Sequence, residues 1–419
     1  MRRQARSFYG WVVVATSALA LLFGAFPIVV SSFAIFFPSY LREFHVSRAA
    51  ISLALTTHNL LAALLAGWIG RLADRFGARN VILPGLGILG LVLLSAKAIG
   101  SSVWQLYVFY AMLGVVSDAT TAVPYGLLVS RWFNRHRGLA LGLTMAGMGV
   151  GAMVMPLLTH QLIAVYGWRS ALAIAGAAIL IVPMPMVGLF LKEAPRHVSL
   201  LPDAAAGQPE GLTWPEIRNS PAYWLMTAAF VLTAGSINAC IVHMAQIFSD
   251  RGATAASAAL AVSVVGLALL AGRAGTGFFL DRYFGPRIAM CVFTMAALGI
   301  ALLCTGATGL PAFVGAFLVG LGFGAEADLI AYLIGRYFGL RSLGAAFGFA
   351  FGAFVLAGGL GPLLMGFAFD HTGSYRAPLA GCLFTTLAAA AQMSRLGPYR
   401  FAATRHREAP VGIQSGVEA

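Results

Sequence analysis

The sequence predicts an all-α membrane protein in which twelve transmembrane helices form two pseudo-symmetric six-helix bundles. Three observations lead there. Of 419 residues, 59% are hydrophobic and only 10% are charged, with a mean hydropathy of +0.85. A water-soluble domain of this size carries far more polar surface. The apolar runs are about 20 residues long, as a membrane helix requires, and not the roughly ten alternating residues of a barrel strand. Finally, landmarks of the first half recur 205 to 208 positions later, which indicates a duplicated chain.

Taken in order, the apolar stretches are 10–38, 47–70, 80–99, 104–130, 138–160, 170–191, 221–248, 255–280, 287–306, 311–335, 342–368 and 374–394. Most can cross roughly 30 Å of hydrocarbon at about 1.5 Å per residue. The first follows Arg2, Arg3 and Arg6 and so imitates a signal peptide. Its apolar run is too long for that, and the chain re-enters the membrane at once, so it is read as a retained span. Between the sixth and seventh stretches, residues 192–220 hold Pro195, Pro202, Pro209 and Pro215. They form a linker between an N-terminal bundle (1–191) and a C-terminal bundle (221–396), with a short interfacial helix expected near Leu212–Arg218. Residues 397–419 are a polar tail. The four cysteines, Cys240, Cys291, Cys304 and Cys382, lie in apolar spans without a Cys-x-x-Cys pair, so they read as small buried hydrophobes.

The most informative polar string joins the second and third stretches: Gly70-Arg71-Leu72-Ala73-Asp74-Arg75-Phe76-Gly77-Ala78-Arg79. It returns as Gly277-Phe278-Phe279-Leu280-Asp281-Arg282-Tyr283-Phe284-Gly285-Pro286-Arg287. Both suit a tight loop in which the glycines let the chain reverse and the aspartate pairs with arginines at neighbouring helix ends. Arg131-Trp132-Phe133 likewise corresponds to Arg336-Tyr337-Phe338, and Pro156 to Pro362. Tyr166-Gly167-Trp168-Arg169 has an echo in Thr372-Gly373-Ser374-Tyr375-Arg376. With the N-terminus inside, cytoplasmic segments carry twenty of the 27 Lys and Arg residues, and the opposite side carries Arg42, Arg48, Arg169, Arg251 and Arg376. The net charge of +13 therefore sets topology and needs no nucleic acid to explain it. Both termini are placed in the cytoplasm, and a cytoplasmic gate is assigned to Gly70, Asp74, Arg75, Gly77, Asp281, Arg282, Arg131 and Arg336.

The Gly-x-x-x-Asp-Arg loop in both halves resembles that of the major facilitator superfamily, over nearly the whole chain. More narrowly, three stretches resemble the monocarboxylate transporter and oxalate–formate antiporter branch. They are Tyr9-Gly10-Trp11, Arg131-Trp132-Phe133-Asn134-Arg135-His136-Arg137-Gly138-Leu139-Ala140, and Gly272-Arg273 leading to Gly277 and Asp281. The resemblance implies alternating access between two bundles, an arginine in the eighth span that binds a carboxylate, and an aromatic cavity wall that includes a fourth-span tyrosine.

Arg273 is that arginine. It lies eight residues before Asp281, roughly 12 Å inside the helix end. A cation there costs about 2.5–3.5 kcal/mol, so it needs a polar cavity or a fixed partner. A structural ion pair is the plain reading; a guanidinium gripping a substrate carboxylate through paired N–H bonds is the functional one. Tyr125, Tyr332 and Asn238 join it as substrate-binding candidates. Asp328 and Glu326 of the tenth span lie at matching depth and, two residues apart, on different helix faces. Either could serve as counter-ion and proton acceptor. Asp118 and His58 are the first-half candidates for proton coupling, with Asn59, His160, His243 and Gln246 as further polar positions.

Two departures from the resembled branch restrict the substrate. Animal monocarboxylate carriers place an aspartate one turn before the eighth-span arginine, where this chain has Leu269. Oxalate–formate antiporters carry an eleventh-span lysine, whereas Leu343 to Ala368 contain no cation. A monoanion is therefore preferred over a dianion. Gly85-Leu86-Gly87-Ile88-Leu89-Gly90 matches a dinucleotide fingerprint as text but lies inside a span with no preceding strand. Gly138, Gly142 and Gly151, like Gly344, Gly348 and Gly352, suit close helix packing and rocking. The fifth span ends Met155-Pro156-Leu157-Leu158-Thr159-His160, which departs from the drug-antiporter signature at its most specific point.

The expectation is a monomeric secondary transporter in a bacterial inner membrane. It moves a small carboxylate with a proton, without cofactor, metal or enzymatic activity. Its rivals are an anion exchanger, an exporter of drug-like or neutral solutes and, outside transport, a membrane sensor on the same fold.

Overall fold

The computed structural model describes residues 2–133, 137–193, 211–280, 282–339 and 341–399, without the side chains at 2–8, 74, 131, 137 and 138. The linker centre and the 400–419 tail lie outside the described residues.

The first crossing is α1 (Arg2–Leu22), a π-helical turn at Phe26–Ser31 and α2 (Phe33–Phe44). Pro27 lacks an N–H in that turn, which favours a local break in the helical ladder. The second crossing, α3 (Arg48–Phe76), starts where the Ser47 hydroxyl accepts the Ala50 N–H at 3.2 Å and ends at Gly77, with φ of +88°. The third is α4 (Arg79–Leu94). The fourth is α5 (Val103–Ser117), a 3-10 turn at Asp118–Thr120 and α6 (Ala122–Trp132). The fifth and sixth share α7 (Arg137–Ile181), which folds back at Gly167 (φ 76°), and finish with α8 (Pro183–Phe190).

The expected linker helix is α9 (Trp214–Arg218), opened by a capping box between Thr213 and Glu216. The seventh crossing is α10 (Pro221–Val242) and α11 (Met244–Ser249), interrupted at His243. Then come α12 (Ala255–Leu280), α13 (Gly285–Cys304), α14 (Leu310–Phe338), α15 (Leu343–Thr372) and α16 (Arg376–Ser394). Eleven helical stretches are long and apolar enough to cross a membrane, and the 52-residue one, Leu139–Phe190, folds at Gly167 to supply two passages.

The duplication is visible in backbone conformation. Gly167 and Gly373, 206 positions apart, both take positive φ where a crossing reverses. The paired polar loops differ. Gly77 reverses the chain at positive φ, whereas Gly285 has an ordinary conformation and is small for another reason. A Cβ there would meet the Tyr399 hydroxyl at 2.7 Å and a Leu333 methyl at 2.9 Å. Cys240 is buried as expected, but Cys291 is exposed, because it points outward from α13 instead of into the bundle.

Among the described residues, the two halves meet on one side of the membrane. We call the side bearing the N-terminus and α9 the terminal side, and the opposite one the far side. On the far-side half of α3, the Thr56 hydroxyl donates to the Gly359 carbonyl at 2.7 Å, and Gly366 rests on the backbone of Ala49. Gly149 of α7 similarly packs on Leu270 of α12, and Gly266 packs on Ala152. Toward the terminal side a Cβ at Gly67, Gly70, Gly142, Gly277, Gly344, Gly348 or Gly352 would meet nothing within 4 Å. The rocking glycines of α15 and Gly142 thus face open space here, while Gly151 packs on Leu22 and Pro27 within its own half. The cleft between the halves opens to the terminal side.

This distribution predicts opposite outcomes for one substitution at two glycines of α7. Gly147→Leu places side-chain atoms onto the Ala18 backbone and should cost about 1–3 kcal/mol as overpacking. Gly142→Leu should leave thermal unfolding in detergent unchanged. Equal melting temperatures for the two variants would contradict the packing described.

Candidate functional site

The site is built where the halves part. Above it, the seal consists of Leu270 against Gly149, Phe26 stacked on Phe323 across the halves at 6.0 Å, and Thr56 on Gly359. Arg273 follows Leu270 by three residues on α12, so it sits roughly 4.5 Å further toward the open side. Asp328 follows Phe323 by five residues on α14 and reaches the same level. Their side chains form an ion pair, with Arg273 Nε 3.4 Å from Asp328 Oδ2. That distance lacks hydrogen-bond geometry, and Nε has no other hydrogen-bond partner. Arg273 remains 29% and Asp328 46% exposed, so a solute entering from the terminal side can reach both.

The helix faces explain why Asp328 and not Glu326 meets the guanidinium. Gly324, one turn before Asp328, packs on the Leu269 carbonyl of α12 and turns that stripe toward Arg273. Gly322, one turn before Glu326, packs on Ile237 and Ala296 and turns the other stripe into the C-terminal half. Glu326 is 0% exposed there, and neither carboxylate oxygen has a hydrogen-bond partner. Its neighbour Thr233 donates to the carbonyls of Ala229 and Phe230 instead.

The remaining candidates are dispersed. Tyr125 is fully buried in the N-terminal core with its hydroxyl unpartnered, out of reach of the cleft in this conformation. Tyr332 donates to the Leu280 carbonyl at 3.1 Å, seven residues beyond Arg273, and so lies near the terminal end. Asn238 bonds its own helix at Ala234 and borders Gly358, while Asn59 of the other half borders Gly359. Asp118 opens the 3-10 turn of the fourth crossing with Oδ2 buried and unpaired. His58 lies close to it but engages Ser117 at 2.6 Å and Asn59 at 3.1 Å, with no contact to Asp118.

At the terminal end the polar loops stand apart. Arg75 lies over Phe76, Arg282 lies over Phe278 and donates to its carbonyl, and Arg336 lies over Tyr399. No ion pair joins these cations to an acid among the described residues. The side chains of Asp74 and Arg131, and all of Asp281, lie outside the described residues.

The far side holds a cluster that sequence reasoning missed. The Asp370 carboxylate of α15 caps the start of α3, accepting from the N–H groups of Arg48 (3.0 Å) and Ala49 (2.9 Å). The Arg48 guanidinium donates to Asp250 at 2.9 Å and to the Tyr375 hydroxyl at 2.8 Å, and lies 3.8 Å from the centre of the Phe369 ring. His243, at the break in the seventh crossing, completes the network. Its Nε2 faces the Pro362 carbonyl at 3.0 Å, which can only accept, so Nε2 carries the proton and Nδ1 accepts from Tyr375 at 2.8 Å. Arg48 was legible only as one of a few cations on a sparsely charged side, because Asp370 lies 322 positions away in sequence.

With the geometry established, similarity to known proteins defines the class. Residues 19–283 and 232–412 match the Major Facilitator Superfamily profile, and the chain belongs to that family of membrane transporters. Over 376 residues it is 28% identical to monocarboxylate transporter 13 of Bos taurus, covering 88% of this chain and 85% of that one. Its fold is similar to a crystallised D-xylose–proton symporter, with a TM-score of 0.73 at 15% identity, covering 93% and 98% of the two chains. It is also similar to a bacterial homologue of the human lysosomal transporter Spinster in an inward-facing, occupied conformation, with a TM-score of 0.66 at 16% identity, covering 93% and 96%. The protein is thus a multi-pass membrane transporter of a small molecule, and no enzyme.

The far-side cluster makes a specific prediction. Arg48→Gln should release the contact between halves, so that a cysteine introduced at the buried cross-half position Ile35 is labelled faster by a membrane-impermeant maleimide added from the far side. Unchanged labelling would show that apolar packing alone keeps this side shut.

Proposed function

We propose that the protein carries a small organic monoanion, a monocarboxylate, across the membrane by alternating access and in symport with a proton. The observation that carries this reading is the Arg273–Asp328 pair at the closed end of a cleft open to one side. An arginine in the membrane interior whose only ionic partner among the described residues is a loosely placed, half-exposed carboxylate is suited to exchange that partner for a substrate carboxylate. The substrate would be held in a bidentate fashion, and Asp328, once displaced, would take a proton because a second anion beside the first is unfavourable. One guanidinium, with no cation in the eleventh span, fits one carboxylate. Similarity to monocarboxylate transporters supports the substrate class.

The bias of cations toward the terminal side supports a cytoplasmic location for both termini. In that orientation the conformation described is inward-open. The opposite state would close Gly142, Gly344 and Gly348 against their partner helices and bring the two Asp-Arg loops to neighbouring arginines, while Arg48 releases Asp250 and Asp370. Glu326 and Asp118 stay as secondary proton sites.

Arg273→Lys should reduce carboxylate affinity about tenfold to a hundredfold, the loss of one charge-assisted hydrogen bond of about 1.5–3 kcal/mol, while leaving expression and melting temperature intact. Full uptake in that variant would refute the anchoring role. Asp328→Asn should keep carboxylate exchange between the two sides of a vesicle but lose accumulation driven by an inward proton gradient. Gradient-driven accumulation that survives would remove Asp328 from the coupling.

A further inference from the structure

The duplicated fold leaves a lipid-facing groove in each half, and the two differ in one chemically decisive way. In the C-terminal half the groove, of about 430 Å³, runs between α12 and α13 over Leu321 of α14. Phe279, Tyr283, Arg287, Cys291 and Met295 line it. In the N-terminal half the groove, of about 480 Å³, runs beside α3 and α4 over Val115 and Val116 of α5. Leu72, Phe76, Pro84 and Ile88 line it, with Asn80 at the mouth, each 207 positions before a lining residue of the second groove, while Arg79, the partner of Arg287 in the repeated loop, is turned away and donates to the Gly188 carbonyl of α8 at 2.6 Å. Both face outward: Phe279 and Met295, like Phe76 and Ile88, are exposed.

The walls are apolar in both, so hydrocarbon is the natural filling of each. The mouths are not alike. Arg75 and Arg282 stand at corresponding positions near both. Beside them the first groove has Asn80, whose amide donates to the Phe76 carbonyl at the end of α3, and the second has an exposed Arg287 with no hydrogen bond or ion pair among the described residues. Where the first has Phe76, the second has Tyr283, adding a hydroxyl at the same level. A free guanidinium, a second cation nearby and a phenol at the end of an apolar trough on the cation-rich side match a phosphate joined to an acyl chain.

We propose that the α12–α13 groove is a binding site for a phospholipid with an anionic headgroup. Its phosphate would rest on Arg287 and Tyr283, and an acyl chain would lie over Cys291 and Met295. The N-terminal groove holds bulk lipid without selection. Arg273 does not line this groove, although Gly272 beside it does, and the proposal does not depend on the identity of the transported substrate.

Cys291 supplies a reporter, since it is the exposed one among the four cysteines. In the delipidated full chain in detergent, dioctanoyl phosphatidylglycerol should slow fluorescent-maleimide labelling of Cys291 about tenfold at ten times its dissociation constant. Dioctanoyl phosphatidylcholine should not, nor should glycerol phosphate. Arg287→Asn, which installs the residue found at the mouth of the first groove, should abolish the protection without altering labelling in the absence of lipid. Conversely, Asn80→Arg combined with Pro84→Cys should create protection in the N-terminal groove. Equal protection by the neutral lipid, protection by glycerol phosphate alone, or protection that persists in Arg287→Asn would each overturn the proposal.

Discussion

An ionised side chain cannot stand alone in hydrocarbon, and that constraint organises this molecule. Arg273 lies deep in a crossing where its insertion costs about 2.5–3.5 kcal/mol, and it is tolerated because Asp328 and the open cleft share its solvation. The partial fit of the pair, a contact at 3.4 Å without hydrogen-bond alignment, leaves guanidinium surface for another anion. A tightly chelated pair would be a structural brace. Glu326, two residues away, shows the alternative outcome of the same constraint: a fully buried carboxyl with no ion pair among the described residues.

The same physics acts at the far side with the opposite result. There Arg48 is saturated by Asp250, Tyr375 and the Phe369 ring, and its own backbone N–H is taken by Asp370. Contacts from one half to the other thus include polar, directional bonds at the closed end beside the apolar seal, whereas at the open end the terminal-side arginines rest on aromatic rings. Directional bonds of this kind break over a short displacement, which suits a bundle that must rock. Two helix breaks, at Phe26–Ser31 in the first crossing and His243 in the seventh, lie where the halves touch, Phe26 on Phe323 and His243 against Phe37. Irregular backbone survives at membrane depth only where protein or water satisfies it.

Much of this was legible along the chain because helical membrane proteins write their architecture locally. Crossing ends follow from apolar length, the reversal at Gly167 has its echo at Gly373, and a spacing of two residues already put Glu326 and Asp328 on different helix faces. What stayed hidden was pairing between distant segments. Neither Arg48 with Asp370 nor His243 with Tyr375 has a local signature, since each residue alone reads as a surface charge or a packed ring. His58 illustrates the limit: it was legible as a polar candidate, as was Asp118, but not that its ring turns to Ser117 and Asn59.

Composition, span length and the repeat therefore determined by themselves that this chain is a duplicated twelve-helix membrane protein with one cation deep in its second half. Those properties depend on free energies summed along a helix, and a sequence states them directly. Only the tertiary structure decided which acid meets Arg273, which side is closed and by what bonds, and which of two equivalent grooves carries a free arginine. Those outcomes depend on helix rotation and on distances between segments hundreds of residues apart, and a shift of two residues along α14 would exchange one carboxylate for the other.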